Sequence, residues 1–147
     1  VECVKFIKRI ADKTEKYRTL GYEDKLIATT DWQHLGIAAK TIAQSIEADG
    51  IIAITRSGTT AEIVSNAKPY RMPVFAFSNN KKTLQHLSLA GSVNAYYTSL
   101  PKDHEKNISG ILNFLKKELN PEKIMKFVVI SGILSESSAD AIEIRNL

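Results

Sequence analysis

The sequence predicts a three-layer α/β/α sandwich around a mostly parallel five-stranded sheet with one antiparallel edge strand, and three observations carry that expectation. The apolar runs IIAI, VFAF and FVVI at 51–54, 74–77 and 127–130 show no alternation, so their strands are covered on both faces. Helical patterns separate these runs, as crossovers between parallel strands require. The final strand differs: Ala141, Glu143 and Arg145 alternate with Ile142 and Ile144, and only residues 132–140 precede it. That span is too short for a helical crossover, so this strand is antiparallel and at an edge.

Each element has its own signal. Val4, Ile7, Ile10 and Ala11 recur at helical spacing and predict a first helix. Asp31 is the expected N-cap of a second helix, with Gly50 just beyond its end. Between them the mixed polarity of 19–30, with Gly21, predicts a connector that leaves the first helix partly separate. The body then reads as strand 51–55, helix 60–67, strand 74–78, helix 80–89 and strand 93–98. Helix 103–119, strand 127–131 and strand 141–145 complete it, and Asn79 or Asn80 is placed to cap the helix that follows.

Composition excludes several classes. At 147 residues, 44% hydrophobic and 24% charged, the chain suits one domain with one core. The net charge of +4 comes from scattered lysines in doublets such as Lys81-Lys82 and Lys116-Lys117, which make no stripe for a nucleic acid. No apolar run approaches the roughly 20 residues that span a bilayer, so no membrane contact is expected. The amphipathic amino end, which includes Glu2, Asp12 and Glu15, lacks the features of a signal peptide, and without an initiator methionine it reads as an excised fragment. A single cysteine, Cys3, forms no internal disulfide and fits a reducing, cytoplasmic compartment. His34, His86 and His104 are far apart and at no metal-ligating spacing, so no metal site is expected. Trp32 is expected as a packing anchor.

One segment carries chemistry. In IIAITRSGTTAEIV an apolar strand ends in Thr55, Arg56, Ser57, Gly58, Thr59 and Thr60 and passes at once into a helix. Hydroxyls, free backbone N–H groups, a glycine and an arginine then meet at the positive end of a helix dipole, where a phosphate is stabilised without a metal. The same residues also suit a plain helix start, with Thr59 or Thr60 as cap and Gly58 as the turn. In open α/β sheets ligands sit beyond the carboxyl ends of the strands, which places 55–60, 78–81 and 131–138 along one rim.

The ordered series resembles the C-terminal domain of pyruvate kinase. VECVKFIKRIADKTE looks like the helix that follows that enzyme's catalytic barrel, giving the division 1–18 for this helix and 19–147 for the α/β domain. AAKTIAQSIEADGIIAITRSGTTAEIVSNAKPYRMPVFAFSNN is similar to its helix, strand, effector loop, helix, x-Y-R-x-P turn and second strand, and LSLAGSVNAYY and MKFVVISG to the third and fourth strands. The resemblance implies a regulatory, tetramer-forming domain of an enzyme that transfers the phosphoryl group of phosphoenolpyruvate to ADP in glycolysis. Phosphoenolpyruvate, magnesium and potassium then belong to the barrel, and this chain itself needs no cofactor and is inactive alone. It further implies that Thr55, Arg56, Ser57, Gly58, Thr59 and Thr60 hold the phosphate of an allosteric sugar-phosphate effector.

The loop after the fourth strand departs from the pattern of members activated by fructose 1,6-bisphosphate, which carry basic and aromatic residues there, whereas this chain has Ile133-Leu134-Ser135-Glu136-Ser137-Ser138. At ~5 Å and an effective dielectric of about 20, Glu136 and a second phosphate would repel by on the order of 3 kcal/mol before screening. The expected effector is therefore a sugar monophosphate. The loop is also similar to the phosphosugar loop of sugar-isomerase domains, where Glu62 and a histidine would move protons. A third reading is a structural oligomerisation domain with an empty loop. The edge strand or the first helices are the expected homo-oligomer contact.

Overall fold

The computed structural model describes residues 2–14, 27–69, 72–101, 103–132 and 141–147. Its strands are β1 (Gly50–Ile54), β2 (Val74–Ser78), β3 (Val93–Tyr97), β4 (Lys126–Ser131) and β5 (Ala141–Asn146). They form one sheet of order β3-β2-β1-β4-β5. β1 pairs in parallel with β2 and β4, and β2 with β3. β5 lies antiparallel on β4, with Ala141 opposite Ser131 and Glu143 opposite Val129. This is the predicted α/β class with its antiparallel edge.

The helices are α1 (Glu2–Thr14), α2 (Asp31–Ser45), α3 (Thr59–Asn66), α4 (Lys81–Leu87) and α5 (His104–Leu119). The chain moves outward from β1 to β3 and then returns across the sheet to β4. Keeping every crossover right-handed, that reversal sends α5 to the face opposite α3 and α4. The strand side chains divide accordingly. Ile51, Ala53, Val74, Ala76, Val128 and Ile130 pack with Ala39, Ala61, Val64 and Leu87. Ile52, Ile54, Phe75, Phe77, Phe127 and Val129 pack with Ile108, Ile111 and Leu115 on the other side. Each fully buried large apolar side chain contributes roughly 1.5–3 kcal/mol, so β1, fully buried along its length, ties both layers together.

Several predicted boundaries move. The N-cap of α2 is Thr30, whose hydroxyl accepts the Gln33 N–H at 3.4 Å, and Asp31 is the first helical residue. α2 ends at Ser45, so Gly50 does not mark its end. It opens β1 instead, because a Cβ there would lie 2.8 Å from the Phe75 ring and 3.1 Å from the Phe127 ring. Thr55 falls just outside β1 but still donates its N–H to the Phe77 carbonyl at 3.0 Å. α3 begins at Thr59 and α4 ends at Leu87, each within two residues of expectation. Asn80 caps α4 by accepting the Lys82 N–H. α1 has no buried residue, and Val4, Phe6, Ile7 and Ile10 on it are exposed. Residues 19–26 of the connector, Tyr70 and Arg71 of the x-Y-R-x-P turn, and residues 133–138 with Glu136 lie outside the described residues.

The edge strand is fastened to α5 by charge. Arg145 forks onto Glu105 at 2.8 and 3.1 Å and also reaches Glu143, whose other carboxylate oxygen meets His104 Nε2 at 2.5 Å. Burial pushes the Glu143 carboxyl up, but the hydrogen bonds and charges of His104 and Arg145 outweigh it and hold it below the ordinary value. The hydrogen bonds that Arg145 donates to Glu143 and Glu105 raise its pKa. A carboxyl depressed in the folded state stabilises the fold above its unfolded pKa and loses that contribution as pH falls through its folded pKa. Glu143→Gln should therefore lower the melting temperature at neutral pH, with the gap to the wild type closing on acidification; calorimetric melts across the acidic range check this. Gly50→Val drives a branched side chain between two rings and should destabilise by about 1–3 kcal/mol, measured as a shifted urea midpoint.

Candidate functional site

The strand order reverses between β1 and β4, and the turn from β1 into α3 stands at that crevice. Thr55 is buried, and its hydroxyl accepts the Gly58 N–H at 2.9 Å, closing Arg56 and Ser57 into a tight loop. Gly58 sits at φ 101°, the left-handed region, and a Cβ there would come within 3.1 Å of the Thr83 methyl. Only glycine enters that conformation without strain. Gly58 is also the N-cap of α3, and it has no side chain with which to cap it. The leading amides of the helix, at Thr60 and Ala61, consequently have no intrahelical acceptor and lie where the dipole is positive.

The remaining loop residues take distinct positions. Ser57 is exposed and Thr59 half-buried, with their hydroxyl oxygens 3.0 Å apart, and the Thr59 N–H makes a long contact of 3.4 Å to Ser57 Oγ. Arg56 is exposed and forms no ion pair with any described residue, whereas Thr60 is buried. Its backbone carbonyl is the anchored part of Arg56: Thr83 Oγ1 donates to it at 3.0 Å and Ser78 Oγ at 3.3 Å. All six residues singled out in the sequence thus share one turn. Three of their amides are already engaged, Thr55 by the Phe77 carbonyl, Gly58 by the Thr55 hydroxyl and Thr59 weakly by Ser57. The donors on the exposed side of the loop are the Ser57 and Thr59 hydroxyls and the Arg56 guanidinium, a set that suits a small oxyanion, whereas Thr60 and Ala61 at the start of α3 are 6% and 0% exposed.

Other candidates resolve more simply. His34 and His86 are exposed and His104 is half-buried against Glu143. His86 Nδ1 lies 3.4 Å from Glu62, and both side chains are open to solvent. Trp32 is half-buried. Among the described residues no three His, Cys, Asp or Glu side chains gather as for a metal, and no helix is long and apolar enough to cross a membrane. A small apolar recess between α2 and the far end of α3, lined by Ile37, Ile63 and Ala67 among others, is remote from the loop. Sequence reasoning missed Thr83, whose place inside a helix gave no sign that it reaches a loop 27 positions earlier.

Fold and loop together define a doubly wound α/β domain with a polar, glycine-containing turn at its switch point. The pyruvate kinase, alpha/beta domain family matches residues 33–144. The chain is 29% identical over 136 residues to a pyruvate kinase of Agrobacterium vitis, covering 90% of this chain and 28% of that protein. It is 28% identical over 138 residues to a pyruvate kinase of Thermoplasma acidophilum, covering 94% of this chain and 23% of that one. A crystal structure of a pyruvate kinase from Cryptosporidium parvum shares the fold at a TM-score of 0.71 and 22% identity, over 82% of this chain and 23% of that chain. The chain belongs to the family of pyruvate kinase α/β domains, and it spans about a quarter of the length of these relatives.

Replacing Gly58 tests the loop geometry directly. Gly58→Ala should cost about 1–2 kcal/mol through the left-handed backbone alone, read as a lower thermal midpoint.

Proposed function

We propose that the chain is the regulatory and subunit-assembling domain of a pyruvate kinase, and that it holds a phosphorylated effector on Thr55, Arg56, Ser57, Gly58, Thr59 and Thr60. In this reading residues 1–18 follow a catalytic barrel that lies outside this sequence, and residues 19–147 are the α/β domain. The parent enzyme transfers the phosphoryl group of phosphoenolpyruvate to ADP in the cytoplasm, and magnesium and potassium act in the barrel. The observation that carries the proposal is the start of α3, with no side-chain cap, beside an Arg56 that forms no ion pair with any described residue, at the switch point of a domain of this family. Family membership supports the parent activity, and the loop chemistry supports the ligand class.

The sequence after β4 carries an acidic Glu136 where a bisphosphate would call for basic residues, which supports a sugar monophosphate over a bisphosphate. Binding regulates only if one state of the assembled enzyme takes the effector more tightly than another. Assembly uses the edge of β5, which among the described residues pairs with β4 alone and offers its other side to a second copy, or the exposed first helices. A sugar-isomerase reading draws on the approach of His86 to Glu62 at 3.4 Å. Turnover of a phosphosugar by the chain alone would favour that reading, because an effector domain converts nothing.

Arg56→Gln removes a charge-assisted contact worth roughly 1.5–3 kcal/mol, so calorimetry with hexose monophosphates should show at least about tenfold weaker binding. Unchanged substrate affinity of the full-length enzyme with every such ligand would remove the regulatory assignment. Light scattering that finds only monomer at high concentration would count against assembly through β5.

A further inference from the structure

We infer that Ser78 and Thr83 are positioning residues that aim the Ser57 backbone N–H at the bound anion. The inference rests on the effector reading above and adds two residues to the site, neither of them in the loop. Ser78 ends β2 and Thr83 lies in α4, and both are buried, at 0% and 8% exposure. Their hydroxyls converge on a single acceptor, the Arg56 carbonyl, at 3.3 and 3.0 Å. Two side-chain donors on one loop carbonyl fix the plane of the peptide that joins Arg56 to Ser57.

That plane decides where the next amide points. The described residues contain no cis peptide bond. In a planar trans peptide the C=O and N–H vectors are antiparallel, so a carbonyl drawn toward β2 and α4 turns the Ser57 N–H away from them. Ser57 is exposed, and its hydroxyl sits 3.0 Å from that of Thr59 at the start of α3. The amide is thereby presented on the open side of the loop, beside the Ser57 and Thr59 hydroxyls. A donor fixed before the ligand arrives costs no reorientation on binding. Without the two hydroxyls the peptide is free to rotate and would present its carbonyl, which repels an oxyanion, for part of the time.

Thr83 has a second role that allows a clean test. Its methyl packs against Gly58, at 3.1 Å from where a Cβ would stand. Thr83→Val keeps that methyl and replaces the hydroxyl by a second methyl of similar size, whereas Thr83→Ser keeps the hydroxyl and removes the methyl. The experiment is amide-resolved NMR titration of the whole chain with inorganic phosphate and with glucose 6-phosphate, on the wild type, Thr83→Val, Ser78→Ala, the double variant and Thr83→Ser, with thermal melts alongside. In the wild type and in Thr83→Ser the Ser57 amide should move downfield on binding. In Thr83→Val and Ser78→Ala that movement should shrink, with affinity about fivefold weaker for each hydroxyl lost. The double variant should fall further. A wild-type response reproduced unchanged in the double variant overturns the positioning role while leaving the effector site standing. Absence of any response in the wild type removes the effector reading and the positioning role together. Equal weakening in Thr83→Ser and Thr83→Val would show packing at work and would also overturn the inference.

Discussion

The placement of β1 between β2 and β4, with helices over both of its faces, is the constraint on which the molecule rests. Every side chain of Gly50–Ile54 is buried, so this strand admits neither a charge nor a break. Its backbone is equally committed, to β2 on one side and β4 on the other. A strand so held can leave the sheet only at its end. The first residue free of the ladder's full demands is Thr55, and there the polar loop begins. Position of the candidate site and stability of the core are therefore one fact seen from two sides: the polar turn is where the best-secured element of the fold meets solvent.

The loop inherits rigidity from more than one element. Thr55 closes it from within, and Ser78 and Thr83 hold its carbonyl from β2 and α4. Gly58 makes the left-handed turn that lets α3 start without a capping side chain. These features are consistent with one another, since a side chain at position 58 would meet Thr83, and a capping side chain would claim amides that an oxyanion needs. The charged link among His104, Glu143, Arg145 and Glu105 plays a comparable part at the other end of the sheet order, where it ties the antiparallel edge to α5.

Much of this was legible in the sequence because the signals are local. The unbroken apolar runs at 51–54, 74–77 and 127–130 reported burial on two faces, and the alternation after residue 140 reported an edge. The six site residues are contiguous, so one loop could be read as one site. Signals with distant causes were misread or missed. Gly50 looked like a helix stop because glycine usually is one, yet its reason is two aromatic rings at positions 75 and 127. Asp31 and its neighbour Thr30 both suit a cap, and only backbone geometry decides between them. Ser78 and Thr83 act on a carbonyl 22 and 27 positions away, a relation that no periodicity encodes.

The brevity of α4 has a consequence of its own. Seven residues make barely two turns, too few to persist without tertiary support, and in this helix Leu87 supplies the deepest anchor. The carbonyl that α4 steadies through Thr83 is thus governed by one of the least self-sufficient segments of the molecule. Loosening that segment, by heat or by a lost methyl group at Leu87, would slacken the loop while β1 stayed intact, so the turn can lose its order without the domain unfolding.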